Sequence, residues 1–109
     1  MYSSGGGVRQ HFGRDIKAAD AVEAARWCRL AAGQGEANSQ HILGFMYAKG
    51  EGVPKDYVLA HMWLNLASSR THDDKSRDSD VNLRQAVEAL MTREQLAEAQ
   101  RLAREWKPK

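Results

Sequence analysis

The sequence predicts an all-helical repeat protein of about five helices. Alanine is abundant beside leucine, glutamate, glutamine, arginine and lysine, which all form helix at little cost, and only two prolines interrupt the chain. Valine, isoleucine and threonine do not alternate with polar residues over a useful length, so no strand pattern competes with this prediction. A third observation, an internal repeat, predicts that the helices come in related pairs.

The internal repeat relates two segments that each contain a tryptophan, 20–31 and 56–67. At an offset of 36 residues, six of the twelve aligned positions are identical, including Trp27 and Trp63. The segments 1–8 and 46–53 share a second pattern, Met-Tyr-x-x-Gly-x-Gly-Val, at an offset of 45. The nine extra residues must lie between these two matches, so we expect the chain to open inside a repeat that lacks most of its first helix.

Glycine and proline residues mark where the first three predicted helices begin and end. The first begins at Asp15 or Ala18 and ends near Ala32, before a Gly-Gln-Gly segment in which glycine can adopt the left-handed cap conformation. The second spans 37–49 and stops at a Gly-Glu-Gly segment. The third begins within the sequence Val-Pro-Lys-Asp and reaches about residue 69, because a proline near a helix start removes no N–H that the helix needs.

Two more helices are predicted after a charged connection at 70–77. The fourth spans about 79–91, and its apolar residues at i, i+3, i+4 and i+7 predict one buried face. Thr92 and Gln95 have the spacing of a capping box, which predicts the start of a fifth helix that ends before Pro108. Trp27, Trp63 and Trp106 all occupy helical positions that we expect to be core.

The glycine and aromatic spacing of the central segment resembles the Sel1-like repeat, a helix-turn-helix unit of the tetratricopeptide superfamily. The positions that fill the family pattern in order are Leu43, Gly44, Tyr47, Gly50, Gly52, Val53, Asp56, Ala60, Trp63 and Ala67. The resemblance implies an α/α superhelix, a short solenoid of antiparallel helix pairs. It implies one domain over 1–109, with a partial first repeat at 1–35, a complete repeat at 36–69 and C-terminal capping helices at 70–109.

The resemblance also implies a scaffold or adaptor that binds a peptide or protein partner, with no catalytic residue or cofactor to inherit. The family is common in bacteria. Two alternatives stay open: a capping fragment of a longer repeat protein, or a hydrolase. Some cysteine-rich relatives have been described as acting on β-lactams, but their paired cysteines are lacking here, since Cys28 is the only one.

The second helix supplies the candidate partner-binding residues. At 100° per residue, Leu43 and Gly44 share one face with Gln40, while Ile42 and Phe45 are apolar residues on the opposite face. We predict that this opposite face lines a groove for a partner, the alternative being ordinary packing against another helix such as the fourth. The candidate residues are Asn38, His41, Ile42, Phe45 and Lys49.

The residue pattern gives little support for a metal site, a reactive cysteine or a phosphate-binding loop. A zinc site needs three or four converging ligands, whereas His41 and His61 have no ligand spacing around them. Cys28 lacks an obvious base and is interpreted as a small core residue. The glycines at 5–7 lack the Gly-Lys-Ser/Thr ending of a phosphate loop and are interpreted as a turn.

The charge and the hydropathy of the sequence argue against two further kinds of interaction. The net charge of +2 arises from basic and acidic residues that are interleaved, so we expect no nucleic-acid binding. No stretch approaches the roughly 20 apolar residues of a membrane span, so no membrane insertion is expected. The first residues have no signal-peptide pattern, and no compartment is predicted.

Because the first helix lacks its own partner helix, a face with Val22, Ala25 and Cys28 or Trp27 is predicted to mediate self-association or docking onto a neighbouring repeat.

Overall fold

The computed structural model describes residues 18–109, and over that range the chain forms five α-helices without any strand. Their bounds are Ala18–Gly33 (α1), Ala37–Lys49 (α2), Tyr57–Arg70 (α3), Asp74–Glu88 (α4) and Arg93–Glu105 (α5). The predicted all-α class with about five helices is confirmed. The 1–8 match, the nine-residue insertion, the truncated first helix and the turn at 5–7 lie outside the described residues.

The helices stack in two layers. Each helix packs against the next along the chain from α1 to α4, while α5 packs on α3 and α2 also touches α4. Helices α1, α3 and α5 therefore form one layer and α2 and α4 the other. Helix α3 has neighbours on both sides, whereas the main described neighbour of α1 is α2.

Side-chain caps fix where the helices begin. Glu36 accepts hydrogen bonds from the backbone N–H and the hydroxyl of Ser39 at 2.7 and 2.6 Å, and Asp56 accepts one from the N–H of Leu59 at 3.0 Å. The hydrogen bonds from Ser39 lower the pKa of Glu36 below its usual value. The predicted capping box is present, because Thr92 and Gln95 exchange side-chain-to-backbone hydrogen bonds.

The charged segment 70–77 is mostly helical, which corrects the prediction of a long connection. Helix α3 continues to Arg70, and α4 already begins at Asp74 and ends at Glu88 rather than near Met91. The cause is a strong cap: Asp73 accepts a hydrogen bond from the N–H of Ser76 at 3.1 Å. Exposed charges on the first turn of a helix resemble a linker when only the sequence is considered.

Helices α2 and α3 approach closely where Gly44 faces the backbone of Ala60. A Cβ added to Gly44 would lie 2.8 Å from Leu64 Cγ and 3.2 Å from the carbonyl oxygen of Ala60. Leu43 and Leu64 are fully buried beside this contact, and Val87 of α4 completes the cluster. The absence of a side chain at Gly44 therefore determines how densely the central helix pair packs.

The turn between α2 and α3 holds α1 through a second close contact. Gly52 has a φ of 75°, and a Cβ on it would overlap the carbonyl oxygen of Ala21 in α1. Ala25 is fully buried against Met46 and Val53 in a small cluster at this junction. Glycine is thus required at Gly52 for its left-handed backbone and for the approach of α1.

The three tryptophans do not share one environment. Trp63 is half-buried and packs edge-to-face on Trp106, with ring centroids 6.0 Å apart and an interplanar angle of 73°. Trp27 is 61% exposed, and its indole N–H donates to Glu23 Oε2 at 3.0 Å. The prediction of a core position is therefore wrong for Trp27, because no helix of the described range covers that side of α1 as α5 covers α3.

Candidate partner-binding surface

Helix α2 has a buried face and an exposed face, divided as the helical spacing predicts. Gln40, Leu43 and Gly44 are buried between the neighbouring helices. Ile42 is 47% exposed and Phe45 is 38% exposed, so neither is an ordinary core residue packed under α4. We call the candidate set, which is exposed except for the half-buried His41, the α2 face. Its members are Asn38, His41, Ile42, Phe45 and Lys49.

The α2 face borders a groove between α2 and α4 of about 690 Å³. His41 and Phe45 form the α2 side of this groove. The α4 side is formed by Lys75, Asp78, Ser79, Asn82, Leu83 and Ala86. The groove thus combines apolar surface with side chains that can donate and accept hydrogen bonds.

The other candidate residues lie around this groove rather than in it. The Lys49 ammonium is 5.6 Å from the centroid of the Phe45 ring, within range of a cation–π contact. Asn38 lines a small crevice of about 70 Å³ that also contains His41 and Asp80. Ile42 is exposed next to these residues without lining either space. Only two of the five candidates, His41 and Phe45, therefore share one groove.

Two histidine–carboxylate pairs hold α4 in place. His41 Nδ1 is hydrogen-bonded to Asp80 Oδ1, and Asp80 is only 2% exposed. His61 Nε2 lies 2.7 Å from Glu88 Oε2, and the His61 ring is buried. An ionised carboxylate only accepts hydrogen bonds, so the imidazole nitrogen donates in each pair. One pair joins α4 to α2 and the other joins it to α3.

Sequence reasoning missed the carboxylate partners of both histidines. Asp80 is 39 residues from His41 in the chain, and Glu88 is 27 residues from His61. No local spacing relates residues so far apart, and a charged position in an amphipathic helix looks like ordinary surface. The two histidine–carboxylate pairs could have been predicted only from the knowledge that α4 packs over both α2 and α3.

Neither a metal site nor a reactive cysteine is found among the described residues. Among residues 18–109, no group of three or more histidine, cysteine, aspartate or glutamate side chains is placed to hold a metal ion. Burial raises the pKa of the Cys28 thiol, and the negative charge of Glu36 raises it further. A raised pKa lowers the thiolate fraction, so this cysteine is a poor nucleophile at neutral pH.

The surface of α1 differs from the predicted association face. Ala25 is fully buried and Cys28 is partly buried against the Met46–Val53 junction. Val22 and Trp27 are exposed, although at five residues apart they point about 140° away from each other around the helix. The predicted face is therefore divided: one part docks α1 onto the molecule and the other part faces solvent. No helix in the described part of the chain is both long and apolar enough to span a bilayer.

The two-layered helix pairs, with a glycine contact inside one pair, define a helical repeat protein. The Sel1 repeat model matches residues 1–36 and 37–72, which is more than half of the chain. The protein belongs to the Sel1 repeat family, as the resemblance implied. Repeats of this family are generally non-catalytic protein–protein interaction modules. No curated protein and no solved structure matches the chain.

Proposed function

We propose that this protein binds a peptide segment of a protein partner on the α2 face. The supporting observation is the pair of apolar side chains, Ile42 and Phe45, on the exposed side of a helix whose other side is fully packed. A large part of each side chain remains in contact with water, and a neighbouring apolar pair exposed beside a groove marks a surface that a partner can cover.

The groove has the mixture of groups that a peptide needs. Phe45 and Leu83 face it from opposite helices and can contact one apolar side chain of the partner. Ser79 and Asn82 can form hydrogen bonds with a peptide backbone, and Lys75 contributes a positive charge at the rim. A short amphipathic helix or an extended peptide with one apolar anchor fits this arrangement.

The groove is preformed, which favours binding. The hydrogen bond between His41 and Asp80 joins its two walls directly, and the pair of His61 and Glu88 fixes the far end of α4. A groove that is already ordered before binding loses less conformational freedom when the partner arrives. His41 therefore both contacts the groove and positions α4.

The decisive experiment replaces Phe45 with glutamate. Leu90→Glu is the matched control, because Leu90 is an exposed apolar residue that does not line the groove. Proteins captured by the wild type and by Leu90→Glu, but lost with Phe45→Glu, support the proposal if both variants keep their helical circular dichroism and melting temperature. Equal capture by all three proteins contradicts it, and unfolding of Phe45→Glu alone indicates a core role.

Self-association through the outer side of α1 is a second proposal, supported by a separate observation. Val22 is 52% exposed and Trp27 is 61% exposed on the same helix. Pairing of two copies through the Trp27 side of α1 would remove the exposed indole from water. Light scattering at rising protein concentration tests it: we expect the mass to increase for the wild type and to stay monomeric for Trp27→Glu. A wild type that is monomeric at all concentrations contradicts this proposal and leaves the α2 face unaffected.

A further inference from the structure

A second groove lies in the other helix layer, where α1 diverges from α3 and α5. Its volume is about 650 Å³, comparable with the groove beside the α2 face. We call it the tryptophan groove. Its principal lining residues are Arg26, Arg29, Leu30, Trp63, Trp106 and Lys109.

Apolar surface forms the interior of the tryptophan groove. Leu30 is 55% exposed on the α1 side. Trp63 and Trp106 form the opposite side as an edge-to-face pair, so one indole edge and one indole face lie together. An aliphatic or aromatic side chain inserted here would contact Leu30 and both rings.

The charged side chains that line the tryptophan groove are all basic. Arg26, Arg29 and Lys109 line it, and no acidic side chain does. Arg26 lies 3.4 Å from Glu23 in an exposed ion pair, which neutralises it only in part. Within residues 18–109, no carboxylate is within ion-pair distance of Arg29 or Lys109. The rim therefore has basic groups that favour an anionic ligand.

The walls of the groove are joined at one end. The backbone N–H of Lys109 donates to the carbonyl oxygen of Gly33 at 2.9 Å, which ties the segment after α5 to the end of α1. Arg70 Nε donates to the carbonyl oxygen of Gly35 at 2.8 Å, and its guanidinium lies 5.5 Å from the Trp106 ring centroid. These contacts hold Trp106 in place against α3 and the end of α1.

We infer that the tryptophan groove binds an acidic peptide segment that contains one large apolar side chain. The apolar side chain occupies the space between Leu30 and the Trp63–Trp106 pair, and flanking carboxylates pair with Arg29, Lys109 and, in part, Arg26. This site lies in the opposite layer from the α2 face, so one molecule can hold two partner segments at once. The inference stands independently of the function proposed for the α2 face.

A peptide fits better than a nucleic acid for two reasons. A nucleic acid strand needs a basic track that follows several phosphates, whereas the basic groups here surround a single pocket. Base stacking also needs accessible ring faces, and the face-on side of one indole is covered by the edge of the other. The carboxylates of a short acidic segment require only two or three cations close together.

The experiment uses the full chain and a defined probe. The probe is a fluorescein-labelled octapeptide with a central Phe-Leu pair flanked by glutamates, and its binding is followed by fluorescence anisotropy. We expect saturable binding that weakens about tenfold when Arg29→Glu and Lys109→Glu are combined, because two rim ion pairs become repulsive. The control combines Arg93→Glu with Arg104→Glu, which changes the net charge equally at two residues outside the groove.

Further variants separate the apolar contribution from the charge. Leu30→Ala, at an exposed position that should not affect folding, is expected to weaken probe binding about threefold to tenfold. Leu90→Glu is expected to leave probe binding unchanged, because Leu90 is exposed and lines neither groove. The central Phe-Leu pair is required, so a probe with alanines in its place should bind at least tenfold more weakly.

Several results would overturn the inference. Equal binding of a probe whose glutamates are replaced by lysines would show that charge has no role. Equal or tighter binding of an eight-nucleotide oligothymidine would identify the surface as a nucleic-acid site instead. Unchanged affinity in the Arg29→Glu, Lys109→Glu protein, with circular dichroism confirming its fold, would show that the probe binds elsewhere.

Discussion

Helices α1 and α3 are copies of one sequence pattern, yet the structure uses them differently. Ala60 and Leu66 of α3 are buried, whereas Ala24 and Leu30 at the equivalent positions of α1 are exposed. The difference arises because α3 packs against α2, α4 and α5, whereas the principal described contact of α1 is α2. The same residue types therefore stabilise the core in one repeat and are exposed to solvent in the other.

The largest expected effect comes from filling the closest contact in the α3 region. Gly44→Val would place atoms within 3 Å of Leu64 and near the Ala60 backbone, where the packed helices leave no room for them. We expect a loss of about 3 kcal/mol or more in the free energy of unfolding, measured by urea denaturation. Gly33→Ala at the end of α1 is the control, since a Cβ there has no neighbour within 4 Å. Equal losses in the two variants would contradict the comparison.

The tryptophan pair tests the comparison directly at repeat-equivalent positions. Trp63→Ala removes the edge-to-face contact with Trp106 and should lower the free energy of unfolding by about 2–3 kcal/mol, below the range for a fully buried tryptophan because Trp63 is only half-buried. Trp27→Ala should change it by less than about 0.5 kcal/mol, since the ring is mostly exposed. Thermal melts of both variants check this, and a large loss in Trp27→Ala would show that α1 contributes more to the core than its exposure indicates.

Gly52→Ala should detach α1 while leaving the remaining helices packed. The substitution imposes a left-handed backbone on alanine, which costs about 1–2 kcal/mol, and brings its methyl group against the Ala21 carbonyl. Hydrogen exchange should accelerate in α1 more than in α3. Uniform acceleration over all five helices would instead indicate that α1 and the α3 region unfold as one unit.

The aspartates at equivalent repeat positions should differ by a smaller amount. Asp56 caps α3 by accepting from the N–H of Leu59, so Asp56→Ala should cost about 1 kcal/mol. Asp20 lies inside the first turn of α1, where its charge interacts favourably with the helix dipole, and Asp20→Ala should cost about 0.3 kcal/mol. Chemical denaturation at low salt measures both losses in the free energy of unfolding. A larger loss for Asp20 would mean that α1 begins later in solution.

The smallest effect concerns the thiol at the junction between α1 and the α2–α3 turn. Because burial and Glu36 raise the pKa of Cys28, less thiolate is present at pH 8 than in an unstructured cysteine peptide. Alkylation by iodoacetamide should therefore be several-fold slower than in the peptide, and the rate should keep rising above the pH at which the peptide rate levels off. Gly52→Ala should bring the rate closer to that of the peptide, and an unchanged rate would argue that α1 stays docked.

The fold was predictable to the extent that it depends on local spacing. Helix α2 begins and ends where its glycine signals predict, and the packing of Gly44 against Ala60 follows from two small residues on facing helices. The start of α4 was missed because Asp73 caps a helix whose first turn is almost entirely charged. Residues that act on their own helix were therefore easier to predict than residues that act across helices.

The candidate site was predictable only in part, for the same reason. The helical spacing of α2 separated the exposed Ile42 and Phe45 from the buried Leu43 and Gly44, while His41 is half-buried at the edge of the exposed face. It gave no indication that α4 supplies the second wall of the groove or that Asp80 is the partner of His41. The tryptophan groove was missed entirely, because Leu30, Trp63 and Lys109 are far apart in the chain.

By itself, the sequence determined the helical class, the repeat and the small residues that let the central helix pair, α2 and α3, pack closely. These features depend on spacings within one or two turns of helix, which the order of residues fixes directly. The tertiary structure decided which copy of the repeated pattern is buried, which carboxylates meet the two histidines, and where grooves open. Those outcomes depend on how many neighbours each helix has, and identical residues become core or surface accordingly.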